Sequence, residues 1–174
     1  PHVTVFAWED RLENAPQLQK KLQENPRVVT TAPYIFKQAL LAGSQTPKGS
    51  LIRGIDPLQE PQVTEIASFL RDEIYPINPP TIEEQQELSS KILARLDFAK
   101  SKENRQMAGI ILGASLAQNL NVLVGDRIKL ISSEERVTPI GNVPRIKELE
   151  VIGIFESGIS GYDEVLAFVD YRLV

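Results

Sequence analysis

The chain has no cysteine, and only one histidine, one methionine and one tryptophan among its 174 residues. Without thiols there are no disulfides and no thiolate metal sites, although this absence does not fix the compartment. The single imidazole, His2, stands at the very start of the chain. One imidazole cannot furnish a histidine-rich zinc site, and a Ser-His-Asp or Cys-His pair would have to recruit it there. We read His2 as a strand residue. No apolar run approaches the roughly 20 residues needed to span a bilayer. The chain starts at Pro1, without Met and without the basic and apolar regions of a leader, so it reads as an excised or processed piece.

Other chemical signatures are missing too. Net charge is −4 with both signs well mixed, which argues against a nucleic-acid-binding surface. Lys48-Gly49-Ser50 lacks the preceding glycine that a phosphate-cradling loop needs. Gly153, Gly158 and Gly161 follow a strand-like run but do not open a helix, as a dinucleotide fingerprint must. The acidic neighbours Asp72-Glu73 and Glu134-Glu135 read as solvated. Glu83, Glu84 and Glu87 read as the first turn of a helix, where the dipole favours negative charge. We therefore assign no catalytic residue, no metal ligand and no cofactor.

What is present is an ordinary folded composition, 42% hydrophobic and 24% charged. The length suits one domain or two small subdomains. His2 to Trp8 alternates like a strand. Asn14-Ala15-Pro16 starts a helix that ends near Asn25-Pro26, with Leu18 and Leu22 on one face. Val28–Thr31 and Tyr34–Leu41 follow as extended segments, and residues 42–49 form a linker out of this β-α-β start. Ser50–Ile55 is a strand turned by Asp56-Pro57, and Val63–Leu70 has helical spacing. Thr81 caps a helix running to about Ser101, striped by Leu88, Ile92, Leu96 and Ala99. Ala114–Leu120 is a short helix ended by Asn121, and Ser157–Asp163 reads as a flexible loop before a final strand at Val165–Val169. The pattern predicts an α+β chain in two lobes, 1–45 and 46–174. It also predicts burial of Val3, Val5, Leu18, Leu22, Val28, Leu116, Leu120, Ile128, Leu130, Val151, Ile154 and Leu166.

The distinctive stretch lies between the strand-like runs Asp126–Ile131 and Leu149–Phe155. Such a connection reads as a hairpin. Gly141-Asn142 suits its tip because Gly enters positive φ at little cost. Pro139 and Pro144 cannot donate to a ladder, so regular pairing should stop short and leave a stiff projecting loop. Between the prolines stand two branched apolar residues, Ile140 and Val143. They either fold back onto the domain's own core or face a partner, to which a stiffened loop docks with little entropy loss. Arg136, Arg145 and Lys147 bracket the hairpin. They serve as a solvated edge that discourages strand pairing, or orient docking on an acidic rim.

Gly109-Ile110-Ile111-Leu112-Gly113-Ala114-Ser115-Leu116-Ala117, with Leu120-Asn121-Val122 and Val124-Gly125-Asp126, resembles the periplasmic core domain of the MacB-like efflux ABC permeases. Within that superfamily, Thr138-Pro139-Ile140-Gly141-Asn142-Val143-Pro144 beside Val151-Ile152-Gly153-Ile154-Phe155 is similar to the lipoprotein-releasing permeases of the LolC/LolE family, LolC type. His2-Val3-Thr4-Val5 and Arg53-Gly54-Ile55-Asp56-Pro57 are similar to that family as well. The likeness covers most of the chain, with 72–105 its least familiar part. The Gly-Asp motif is specific to the superfamily only, and the Thr-Pro hairpin is the sharper signal.

The resemblance implies a periplasmic domain of an inner-membrane protein with two subdomains, an α/β Porter-like lobe and a mainly β Sabre-like lobe carrying a protruding hook. It implies recruitment of a soluble LolA-type lipoprotein carrier through a hook at Val137–Lys147, so that Arg136, Val137, Thr138, Pro139, Ile140, Gly141, Asn142, Val143, Pro144, Arg145 and Lys147 become the partner-binding residues. Further implied partners are a second permease subunit, a cytoplasmic ATPase subunit and the lipoprotein substrate. ATP hydrolysis would belong to that separate subunit. The family domain continues past this point with a helix and further strands, so the resemblance implies a Porter lobe left incomplete at Val174. The alternative is the arm of a MacB-like efflux permease that contacts a different periplasmic adaptor and has no need of this hook.

Overall fold

A computed structural model describes residues 3–6, 14–44, 46–74, 80–138 and 141–174, with backbone alone at 133–138, 141 and 142. The chain is α+β. Its strands are β1 (Tyr34–Ala42), β2 (Lys48–Ile55), β3 (Leu70–Arg71), β4 (Gly109–Gly113), β5 (Arg127–Thr138), β6 (Gly141–Phe155) and β7 (Leu166–Asp170). They form one sheet in the order β3-β6-β4-β7-β2-β1-β5, and β5 pairs again with β6. The ladder therefore closes on itself as a ring of six strands, with β3 added to an edge of β6. Closure leaves few open edges for unwanted pairing.

The ring has two apolar faces because side chains alternate along each strand. Inside lie Leu41, Ile52, Ile110, Leu112, Ile128, Leu130, Leu149, Val151 and Val169, joined by Leu116 and Leu120 of α5 (Ala114–Leu120). Outside lie Ile55, Ile111, Ile152, Phe155, Leu166 and Phe168. Helix α3 (Ile82–Leu96) covers that outer face with Leu88, Ile92, Leu93 and Leu96. This gives the unfamiliar 72–105 stretch its structural role. Gly153 lets α3 approach, since a Cβ there would meet Ile92 Cγ2 at 2.9 Å.

Thr81 caps α3 as the sequence indicates. Its hydroxyl accepts from Glu84 N, and Glu84 Oε2 accepts from Thr81 N at 2.8 Å. The helix does not run on to Ser101. It breaks at Asp97, whose carboxylate caps α4 (Phe98–Glu103) and takes Arg172 Nη2 at 2.8 Å. Asp170 accepts from Phe98 N at 2.9 Å, so the α3–α4 elbow is pinned to the end of β7. Val63–Leu70 is likewise divided, into α2 (Glu60–Val63) and a separate 3-10 turn at Ile66–Phe69. The expected flexible loop at 157–163 contains α6 (Ser160–Asp163). Buried Asp163 orders it by accepting from Ser157 N, Ser157 Oγ and Gly158 N.

The N-terminal expectations need correcting. Helix α1 (Ala15–Gln23) forms, but it buries no residue. Val3 is 80% exposed, Val5 is exposed, and Leu18, Leu22 and Val28 are only half-buried. The other seven residues expected in the core are buried. Residues 3–6 are not in a strand; 1–2 and 7–13 lie outside the described residues. Amphipathic spacing identifies a face but not what covers it. The expected border at 45/46 falls between β1 and β2, which pair antiparallel from Tyr34↔Ile55 to Leu41↔Lys48. Residues 34–42 thus join the sheet that was expected to begin after them.

Candidate docking hairpin

The hairpin is built from the upper halves of β5 and β6. Its ladder starts at Arg127↔Glu150 and climbs through Ile128↔Leu149 and Leu130↔Lys147 to Ser132↔Arg145. Up to that rung β5 is also held by β1, whose pairing ends at Ala39↔Ser132. On β6 the pairing with β4 begins only at Glu150. Above Ser132 and Arg145 the arm is therefore a two-stranded ribbon among the described residues.

Pairing does not stop short of the tip. Glu135↔Pro144, Arg136↔Val143, Val137↔Asn142 and Thr138↔Gly141 continue the ladder. Gly141 and Asn142, expected at the tip, are strand residues; Pro139 and Ile140 lie outside the described residues. Pro144 is tolerated for a geometric reason. Glu150 N donates to Ala108 O, on the side of β6 away from β5. Amide direction alternates along a strand, so Pro144, at the same parity, lacks its N–H on the outer edge where no ladder partner waits.

Parity also sorts the side chains. Leu149 is buried inside the ring, so Lys147, Arg145 and Val143 continue its row, while Ile146 and Pro144 face the other way. The Lys147 ammonium donates to the Leu173 carbonyl. Lys147, Arg145, Lys37 and Ser132 rim a cavity of about 50 Å³ floored by Ala39, Ile52 and Leu130. Val143 is 41% exposed and Ile146 56% exposed. Ile146 sits in register with Ile131, which pairs with exposed Leu40. Side chains of Arg136, Val137, Thr138, Gly141 and Asn142 are outside the description, so only their rungs are assigned.

Sequence reasoning missed two features here. One is the stripe of exposed Leu40 and Ile146 with half-buried Ile131 between them, which no single segment reveals because it is assembled across three strands. The other is an irregularity after Ser132: β5 advances three residues to Glu135 while β6 moves one, from Arg145 to Pro144. Nothing in the local sequence marks it.

Elsewhere, Arg53 and Glu60 form a pair at 2.6 Å, with the guanidinium 5.1 Å from the Tyr34 ring and 5.7 Å from that of Phe36. Burial pushes the Glu60 carboxyl above its usual range, against the pull of Arg53 and the Thr64 hydroxyl. Glu60 is buried, whereas the Arg53 side chain keeps 20% of its surface exposed. Among the described residues no group of His, Cys, Asp and Glu could hold a metal ion, and no helix is long and apolar enough to cross a membrane.

A two-stranded ribbon thus continues β5 and β6 beyond the closed ring. The chain is 31% identical over 169 residues to the lipoprotein-releasing system transmembrane protein LolC of Xylella fastidiosa strain Temecula1, covering 97% of this chain and 35% of that protein. It is 28% identical over 167 residues to LolC of Neisseria meningitidis serogroup B, covering 96% of this chain and 34% of that protein. It is 22% identical over 139 residues to LolE of Haemophilus influenzae, covering 78% of this chain and 27% of that protein. The chain is thus similar over nearly its whole length to LolC and over 78% of it to LolE, and spans about a third of the LolC relatives. A looser likeness, TM-score 0.49 at 11% identity, is to the extracellular domain of the ABC-type transporter YknZ from Gram-positive bacteria, covering 90% of this chain and 62% of that one. No family model matches the chain.

Proposed function

We propose that this domain is the non-catalytic periplasmic arm of a lipoprotein-releasing ABC permease. Its hairpin, Arg136 to Lys147, recruits a LolA-type soluble carrier, so that lipoprotein drawn from the inner membrane is handed over. ATP hydrolysis belongs to a separate cytoplasmic subunit, and a second permease subunit completes the complex. Residues 1–33 belong to a Porter-like lobe, and the ring with its hairpin is the Sabre-like lobe. The observation that carries the docking reading is the ribbon that leaves the ring after Ser132 and Arg145, with Val143 and Pro144 exposed upon it. Similarity to LolC and LolE supports the same reading.

The hairpin tip is a stiff apolar plug. Covering Ile140 in a partner contributes up to about 1.5–3 kcal/mol, and the flanking prolines limit the ordering cost. The test is carrier affinity beside thermal stability for Ile140→Asp and Pro144→Gly. Both variants should weaken binding at unchanged melting temperature, Ile140→Asp more severely because it places an unpaired carboxylate in an apolar pocket. Retained affinity with a lowered melting temperature would make the loop structural and sink the proposal. Arg136, Arg145 and Lys147 steer the encounter, so association should slow as salt rises. An unchanged rate rules that role out. Capture of an efflux adaptor instead of the carrier would favour the MacB-like alternative.

A further inference from the structure

Two structural changes coincide at one rung. Pairing of β5 with β1 ends at Ala39↔Ser132. The last regular rung of the ring is Ser132↔Arg145, and the next is Glu135↔Pro144. Between them Ser133 and Glu134 have no counterpart on β6, so β5 carries two extra residues where it changes from a three-stranded to a two-stranded neighbourhood. Extra residues on one strand bend it and raise the local twist. Two-stranded ribbons already twist more than strands inside a sheet. Below this rung the root is fixed by Leu130 in the core and by the Lys147 ammonium on the Leu173 carbonyl. Above it, the described backbone of each strand is braced only by the other. Whatever angle the ribbon makes with the ring is set at this point.

We propose that Ser133 and Glu134 are the positioning joint of the hairpin, an insertion that aims the ribbon so that its tip meets the partner while the ring stays unchanged. This rests on the docking reading above. It adds that the direction of the arm, and not only the chemistry of its tip, determines recognition. The joint is separate in sequence from the tip residues. It acts through the geometry of the rungs from Glu135↔Pro144 to Thr138↔Gly141.

The parity of the insertion provides a clean variant. Deleting Ser133 and Glu134 joins Ser132 to Glu135 and keeps every rung above and below. Because two residues are removed, each side chain also keeps its face. The chain has no native cysteine, so spin labels at Gln118→Cys on α5 and Val143→Cys on the ribbon report the arm's direction by pulsed EPR without carrier present. The deletion should shift the mean distance by roughly 3–6 Å, one to two strand residues. It should lower affinity for the LolA-type carrier by about tenfold or more in the unlabelled protein, with the melting temperature held within a few degrees. An unchanged distance, or a shifted distance with affinity kept, overturns the joint. Should the deletion unfold the domain, Ser133→Gly with Glu134→Gly keeps the length and loosens the joint. It should broaden the distance distribution and lower affinity, and an unchanged width overturns the proposal. Ile140→Asp at native length separates the two ideas. If that variant binds normally, the docking reading fails and takes the joint with it. If it fails to bind while the deletion binds, only the joint is wrong.

Discussion

Replacing Val143 with Thr isolates the docking role of the ribbon from its folding role. Val143 pairs with Arg136 and is 41% exposed, so more than half of it already packs within the domain. Truncation to Ala would remove that packing together with any contact to a partner. Thr keeps the branched shape and the preference for a strand. In the free domain the hydroxyl is satisfied by water at the exposed side, so stability should move by no more than about 0.5 kcal/mol. A carrier that covers the residue strips that water away. Burying a hydroxyl without an acceptor costs roughly 1–3 kcal/mol in proteins. At 1.4 kcal/mol per factor of ten, this is a loss of about 5- to 150-fold in Kd. Isothermal titration against the LolA-type carrier measures the affinity, and calorimetric melting of the same samples measures the stability. Affinity within twofold of wild type at unchanged stability refutes the placement of Val143 in the interface. A lowered melting temperature with affinity kept makes the residue structural.

Two further outcomes test the frame that carries the arm. Asp163→Ala removes the acceptor for Ser157 N, Ser157 Oγ and Gly158 N from a site only 5% exposed. Unsatisfied groups cost about 1–3 kcal/mol, and a total near 3 kcal/mol lowers the melting temperature by roughly 6–12 °C for a domain of this size. A fall under 2 °C would mean that the turn is ordered by something else. Glu60 tests the pH dependence. Burial raises its folded pKa above the ordinary 4.5, so its contribution is fully present below that value and is lost as pH rises through the folded pKa. Paired urea melts of wild type and Glu60→Gln should show wild type losing stability relative to the variant between pH 4 and 7. A flat or opposite difference contradicts the raised value.

Local chemistry made several parts of the fold legible. The Thr81 cap with Glu84, the Asn121 end of α5 at φ 52° and the strands at 34–42 and 166–170 each depend on residues within a few positions of one another. The hairpin was legible for the same reason, since its two strands and its prolines lie in one stretch. Its detail was not. Pro144 was expected to stop the ladder, yet the consequence of a missing N–H depends on which edge it faces, and that phase is set by where β6 meets β4. The same limit explains the N-terminal segment, where Leu18 and Leu22 have the right spacing but are only half-buried among the described residues.

The sequence by itself placed most elements to within a few residues, marked the apolar residues of the later strands, and identified the 137–147 stretch as part of a hairpin. It also carried the likeness to LolC and LolE, because motifs such as Thr138–Pro144 are contiguous. Tertiary structure decided the rest. Closure of the ring joins β5, already paired with β6 in the hairpin, to β1, a strand distant in sequence, and no local propensity encodes such a pairing. That closure fixes which side of each strand faces inward, ends the support of β5 at Ser132, and leaves Ser133 and Glu134 as an insertion beneath a free ribbon. Capping and turn formation are short-range effects of hydrogen bonding and backbone sterics, whereas register and strand order are set by the joint burial of side chains from all six strands.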